Sequence, residues 1–294
     1  MNSPRAHPPS LIVSAPRTWR AWLGVSVLAL LAPFAFPPTA HGQFGGWRSF
    51  DDRGHVPEWS VDPAFKHDVF SFARLRYTSY GRGFGGWGGR RRGQWATDAP
   101  DADLNLLFRL QQMTSLKANP QVTYIDITPD QLSQYPFVYM IEPGALTFHP
   151  DEVEALRAYL LNGGFMMVDD FWGEGEWQNF YEEIKRVFPD REPVELPIEH
   201  PIFHIVFDLK QKPQMPSIHH FLNSGLTYER LGTEEVHYKG IFDDRGRLMM
   251  IICHNTDLGD GWEREGEDPT YFERFSEKMA YPMAINILVY AMTH

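Results

Sequence analysis

The residues best suited to chemistry stand where an apolar run ends on two adjacent carboxylates. The segment GGFMMVDDFWGEGEW, residues 163–177, delivers Asp169 and Asp170 and then Trp172, Glu174 and Glu176. Paired acids in this position can serve as general acid and base, or hold a hard cation through their oxygens. The structural alternative is that one caps the next helix or accepts backbone N–H bonds while the other is solvated. Histidines form a second group: His200 and His204 in EHPIFHIVF, and His219 and His220 in PSIHHF. The last pair, in a proline-flanked loop, has the least packing reason to exist. The spacing HExxH is absent, so an imidazole-bound metal would need groups converging from separate elements.

A third group is HNTDLGDGWEREGEDP, residues 254–269, where His254 precedes Asn255, Asp257, Asp260 and Glu263 as candidate oxygen ligands for a divalent cation. Gly259 and Gly261 allow tight turns, but the spacing is not that of an EF-hand loop, and a solvated acidic loop is the structural alternative. The fourth group is the loop GRGFGGWGGRRRGQW, residues 81–95, with seven glycines and four arginines. Its backbone N–H groups and Arg82 can cradle an anion. It lacks the Gly-Lys-Ser/Thr ending of a phosphate loop, however, and runs into Asp98, Asp101 and Asp103, which repel phosphate at the start of the next helix. The expected ligand-binding residues are therefore Arg82, Asp98, Asp101, Asp103, Trp172, Glu174, His254 and Asp257. For an enzyme, Asp169, Asp170, His219 and His220 are the expected catalytic set.

The elements that must position these groups alternate. Residues 68–77 have partial strand periodicity, and residues 100–117 place Leu106, Leu107, Leu110 and Met113 at helical spacing behind a proline. Residues 122–127 and 137–141 read as strands, and a helix opens at His149-Pro150-Asp151-Glu152 and stops at Asn162-Gly163-Gly164. Residues 165–168 are too continuously apolar for a half-exposed strand and suit a parallel sheet covered on both faces. Residues 177–188 make the next helix. Asp-Asp-Arg-Gly at 243–246 reads as the turn of a β-hairpin near residues 236–253. The final helix has a boundary near Pro282. This order predicts an α/β fold with an open, mainly parallel sheet, in which ligands bind beyond the carboxyl ends of the strands.

The first 42 residues differ in kind. Arg5, Arg17 and Arg20 precede an apolar run at 21–36, no acid occurs, and Ala40-His41-Gly42 offers small residues before Gln43. This is the layout of a cleaved secretory signal peptide, with an uncleaved N-terminal membrane anchor as the alternative. Residues 43–66 read as an irregular extension and residues 67–294 as the domain. Without the leader, 24 basic residues face 38 acidic ones, a net charge of −14. Such a surface excludes nucleic acid as a partner. Cys253, the single cysteine, lies on a predicted hairpin strand with His254 on the opposite face, which is not the setting of a nucleophile.

The segment YPFVYMIEPGALTFHPDEVEALRAYLLNGGFMMVDDFWG, residues 135–173, resembles the central strand-helix-strand of the class I glutamine amidotransferase-like superfamily, a flavodoxin-like fold. The superfamily's nucleophilic cysteine belongs at the strand tip, where this chain has Asp169-Asp170. The motifs RLRYTSYGRG, WATDAPDADLNLLFRLQQ, DDFWGEGEW, FPDREPVELPIEHPIFHIVF, PSIHHF and IICHNTDLGDGWEREGEDP resemble, over most of residues 68–294, a bacterial family of unknown function numbered 4159. The resemblance implies an amidotransferase-like fold in proteins with export or membrane signals, and no particular activity. Two functions are consistent with these residues. One is an exported, periplasmic or extracellular module that binds a small polar molecule, a sugar or an envelope protein. The other is a carboxylate/histidine hydrolase, with or without a metal.

Overall fold

In a computed structural model, residues 55–65, 68–80 and 94–294 are described. The segment expected to be a leader, most of the expected extension and the loop containing Arg82 lie outside them. The elements in chain order are β1 (Ala73–Arg76), β2 (Thr78–Ser79), α1 (Asp101–Met113), β3 (Thr123–Asp126), α2 (Pro129–Leu132), β4 (Phe137–Ile141), β5 (Leu146–Thr147), α3 (Pro150–Leu161), β6 (Phe165–Asp169) and α4 (Gly173–Val187). They continue with β7 (Val194–Glu195), α5 (Ile218–Ser224), β8 (His237–Phe242), β9 (Leu248–His254), α6 (Leu258–Glu263), α7 (Pro269–Tyr271), a π-helix (Phe272–Ala280) and α8 (Tyr281–Thr293).

Seven strands form one sheet in the order β3-β1-β4-β6-β9-β8-β7, and β2 pairs with β5 beside it. The first five are mutually parallel, and β8 runs antiparallel to both β9 and β7. Counted along the chain, the parallel strands stand 2-1-3-4-5, the flavodoxin-like order, so the fold class expected from the sequence is the one observed. The hairpin expected near 236–253 is β8–β9, turning through Asp243 and Gly246.

Continuous apolar runs make the central strands because both faces are covered. On β4, Phe137, Tyr139 and Ile141 face one core with Leu106, Leu107 and Leu110 of α1 and Ile285, Ile287 and Leu288 of α8. Val138 and Met140 face the other, with Leu156 and Leu160 of α3 and Phe180, Ile184 and Val187 of α4. Several boundaries differ from expectation for local reasons. The helix expected to reach residue 117 stops at Met113, where the Thr114 hydroxyl turns back on the Leu110 carbonyl. The helix expected at 177 begins at Gly173, because Asn255 Oδ1 accepts the Gly173 N–H from a distant strand end and the Glu176 carboxylate of the first turn accepts the Trp172 N–H. Ahead of Pro282 the chain is a π-helix, and Pro282 sits in the first turn of α8. Among the described residues no helix is long and apolar enough to cross a membrane.

Candidate metal centre

Three parallel strands leave the sheet through the same unusual backbone. Glu142 follows β4 at φ 48°, Asp170 follows β6 at φ 55°, and Asn255 follows β9 at φ 61°. The fourth non-glycine residue with positive φ among the described residues is Asp98 at 60°, just ahead of α1. Left-handed conformations cost a non-glycine residue energy and collect at functional sites. Here they recur at the ends of three adjacent strands.

Side chains of Asp98, Asp170 and Asp257 each bring an oxygen within 4.8 Å of the others. Asp98, Asp260 and Glu263 form a second such trio. Each acid is placed by a separate device. The Asp98 turn is fixed by Arg74, a fully buried residue of β1 whose Nη1 donates to the carbonyls of Trp95 and Thr97. The rest of that guanidinium is bound to Asp103, also fully buried. Asp170 Oδ1 accepts from Trp172 Nε1 at 3.1 Å. Asp257 precedes α6 and accepts the Asp260 N–H at 2.8 Å. Asp260 Oδ2 accepts the Ile218 N–H and, at 3.4 Å, the Tyr271 hydroxyl, drawing α5 and α7 together. Asp169, at the end of β6, binds α6 to the sheet: its Oδ2 accepts from Gly259 N at 3.0 Å and from the Tyr139 hydroxyl at 3.2 Å.

Gly259 makes the close approach feasible. A β-carbon there would stand 2.6 Å from Asp98 Oδ2 and 3.1 Å from the Tyr139 hydroxyl. Gly261 similarly faces the Ala280 β-carbon, which seats α6 on the π-helix.

The electrostatics are one-sided. Burial, the largest cause throughout, pushes the carboxyls of Asp98, Asp170 and Asp257 well above the usual range, and neighbouring acids push them further. Burial likewise lifts Asp169, Glu142 and Glu263 to about 7 and Asp260 to about 6. Asp98 Oδ2 and Asp169 Oδ1 are out of solvent and have no hydrogen-bond partner. Buried carboxylate oxygens without a donor are costly, and the usual remedies are protons or a cation. Among the described residues, Arg264 lies close to Glu263 and Asp260, and Arg74 partly offsets the shift at Asp98. Arg264 Nε lies 2.6 Å from Glu263 Oε2, but neither atom makes a hydrogen bond, so the approach is an ion contact with poor alignment.

The other residues read from the sequence go elsewhere. Asp103 is the structural partner of Arg74, Asp101 sits half-buried in the first turn of α1, and Glu174 is exposed. Trp172 is buried beside Asp170, and its carbonyl accepts from Arg230. Among the described residues the candidate histidines join no ligand group with the acids, although His254 reaches the segment that follows Asp170. His200 accepts the Ile202 N–H, His204 binds Asp208 and the Ile198 carbonyl, and His254 Nε2 engages the Gly173 carbonyl inside a stack of Phe171, Trp177 and His237. His219 is exposed on α5 and His220 half-buried, and neither belongs to a convergent ligand group among the described residues. His200 serves as a cap and His254 as a packing surface, uses the sequence does not distinguish from ligation. Cys253 is fully buried on β9, which pushes its thiol pKa up and disfavours the nucleophilic thiolate.

Glu142 was not singled out in the sequence, because Glu-Pro-Gly reads as a turn. The signal for it is its position directly after a parallel strand. A cleft of about 500 Å³ lies at the other end of the sheet, before β4 and β6, lined by Pro129, Tyr135, Pro136, Tyr159 and Gly164 among others. No carboxylate or imidazole lines it, so shape and chemistry occupy opposite ends of this domain.

The sheet order and the acids at its carboxyl edge define a flavodoxin-like α/β domain with a cluster of carboxylates at its strand ends. The chain belongs to the family described as Domain of unknown function (DUF4159), whose model matches residues 71–292. No curated protein matches the chain.

Proposed function

We propose that this domain binds a hard divalent cation through Asp98, Asp170 and Asp257, and through that cation a polar ligand, as an exported binding or envelope-assembly module. The observation that carries the reading is Asp98 Oδ2, an oxygen buried without donor or water contact and held beside two further carboxylates. All donors are carboxylate oxygens, a set that favours calcium, magnesium or manganese over zinc or copper. The three oxygens lie within 4.8 Å of one another, close enough for small side-chain shifts to bring them onto one calcium at about 2.3–2.6 Å. Ligands consistent with such a site are a small polar molecule, a sugar, or a group on an envelope protein. The N-terminal basic and apolar segment supports export, and N-terminal sequencing of the protein from fractionated cells tests it: a mature chain starting at Gln43 outside the cytoplasm is expected.

A second reading, a metal-dependent hydrolase, is favoured by Asp169, the neighbour of Asp170 in sequence, whose carboxyl is lifted by burial to about 7, a value suited to a general base. Both readings need the cation. Elemental analysis of the purified chain, with thermal melts in calcium, magnesium, manganese or EDTA, tests that need. Saturation at about 100 times Kd adds about 2.7 kcal/mol of stability, a melting shift of several degrees. Asp170→Asn should abolish the shift and leave the fold intact. No metal and no shift with any of the three ions would end the proposal.

A further inference from the structure

We infer that the site takes two cations, with the Asp98 carboxylate shared between them: one against Asp170 and Asp257, the other against Asp260 and Glu263. This rests on the cation reading above and extends it from one position to two. Asp98 belongs to both convergent trios, and its Oδ2 has neither solvent nor hydrogen-bond donor. A carboxylate has two oxygens and about four acceptor directions, so a single ion does not exhaust it.

The helix supplies the second position. Asp257, Asp260 and Glu263 recur every third residue along α6, which aligns their carboxylates on one side, and the glycine at 259 lets that side close on Asp98. Glu263 Oε2 is a second buried oxygen without a hydrogen bond.

Charge points the same way. Of the described cations near the cluster, Arg74 is engaged by Asp103 and Arg230 by Glu176, whereas Arg264 lies against the second trio itself, at Glu263 and, at 3.9 Å, Asp260. Glu142, Asp169 and Glu229 add negative field to the same space. One dication offsets two of these charges, whereas two bridged by a carboxylate match the surplus more closely. In the ion-free chain Arg264 stands in for the second cation through its misaligned contact with Glu263. Its Nη1 is also 3.1 Å from Glu267 on the exposed side, so it has a partner to retreat to when an ion enters. Two metal positions bridged by a carboxylate about 3.5–4 Å apart are a known way to clamp an oxyanion between ions, which would make the ligand class anionic and oxygen-rich.

Manganese is the probe. Equilibrium dialysis of the purified chain should give two Mn²⁺ per chain, and the electron paramagnetic resonance spectrum should show the broadening of a spin-coupled pair. Glu263→Gln should reduce the count to one and restore the sharp six-line spectrum of an isolated ion. Asp260→Asn should do the same, but Glu263→Gln is the primary variant because Asp260 also anchors the Ile218 N–H. One ion in the unsubstituted chain, lost in Asp170→Asn, overturns the second position and leaves the single-cation reading standing. Two ions that persist in Glu263→Gln place the second one elsewhere and also overturn it. No bound manganese overturns both.

Discussion

Asp98 and Asp103 lie five residues apart at the start of the same helix, both carboxylates are withdrawn from water, and they have opposite lives. Asp103 is closed in a bidentate contact with Arg74 and needs nothing further. Asp98, held in place by the other arm of the same arginine, points an oxygen at no donor. Burial pushes both carboxyls up and Arg74 opposes the shift at both, but Arg74 hydrogen-bonds Asp103 directly, whereas Asp98 also faces Glu263 and Asp260. The difference separates a charge used to build the fold from a charge kept for a ligand. Residue type does not distinguish them; the completeness of the hydrogen-bond partners does.

The comparison breaks most sharply at Arg74. Arg74→Met leaves Asp103 buried without its partner and releases the turn at Trp95 and Thr97, and a loss of about 3–5 kcal/mol is expected in urea unfolding. The double variant Arg74→Met/Asp103→Leu should recover much of that loss, because removing both charges of a buried pair is far milder than removing one. Cation affinity should stay impaired in the double variant, since nothing then fixes the Asp98 turn. If cation affinity returned along with stability, Asp98 would not depend on Arg74 for its placement.

Gly259→Ala is the next largest. On an ordinary helix this exchange stabilises by up to about 1 kcal/mol. Here the added carbon meets Asp98 Oδ2 at 2.6 Å, with Ile141 Cδ1 and the Tyr139 hydroxyl at 3.1 Å, so a loss of about 1–3 kcal/mol and weaker manganese binding are expected. A more stable protein with unchanged binding would show that Asp98 is free to move away and is not held against α6.

How far this site was legible before the fold was known follows from the same contrast. The sheet was readable because apolar runs, capping prolines and glycine stops are local signals, and Asp169-Asp170 stood out because a strand tip is where polar groups are tolerated. The acids of residues 257–263 were visible as candidates, yet their burial was not, since a run of acids and glycines looks like a solvated loop until α5, α7 and the π-helix enclose it. Asp98 and Asp103 were indistinguishable as first-turn acids, because only a tertiary contact from β1 separates them. Glu142 was hidden in a turn-like tripeptide. The histidines drew attention by residue type, while His200, for one, is satisfied within two residues of its own position.

The smallest effect is the most discriminating. Asp98→Asn keeps the shape and removes the charge. In EDTA at pH 8 the variant should be more stable than the unsubstituted chain by about 1 kcal/mol, a modest figure because the residue as a whole is only half-buried. The sign follows from linkage. An acid whose folded pKa is raised contributes stability fully below its unfolded value, near 3.8 for Asp98, and loses it as pH rises through the folded value. Glu142 and Asp169, both lifted to about 7, impose the same slope on the ion-free chain, whose stability should fall between about pH 4 and pH 7. Asp98→Asn lacks one contributor, so the two proteins should coincide near pH 4 and diverge upward. Saturating manganese should reverse the order at pH 8, because the ion stabilises only the chain that can bind it. An Asp98→Asn chain less stable than its parent in EDTA at pH 8 would mean that Asp98, like Asp103, has a structural partner, and the contrast between the two acids would dissolve.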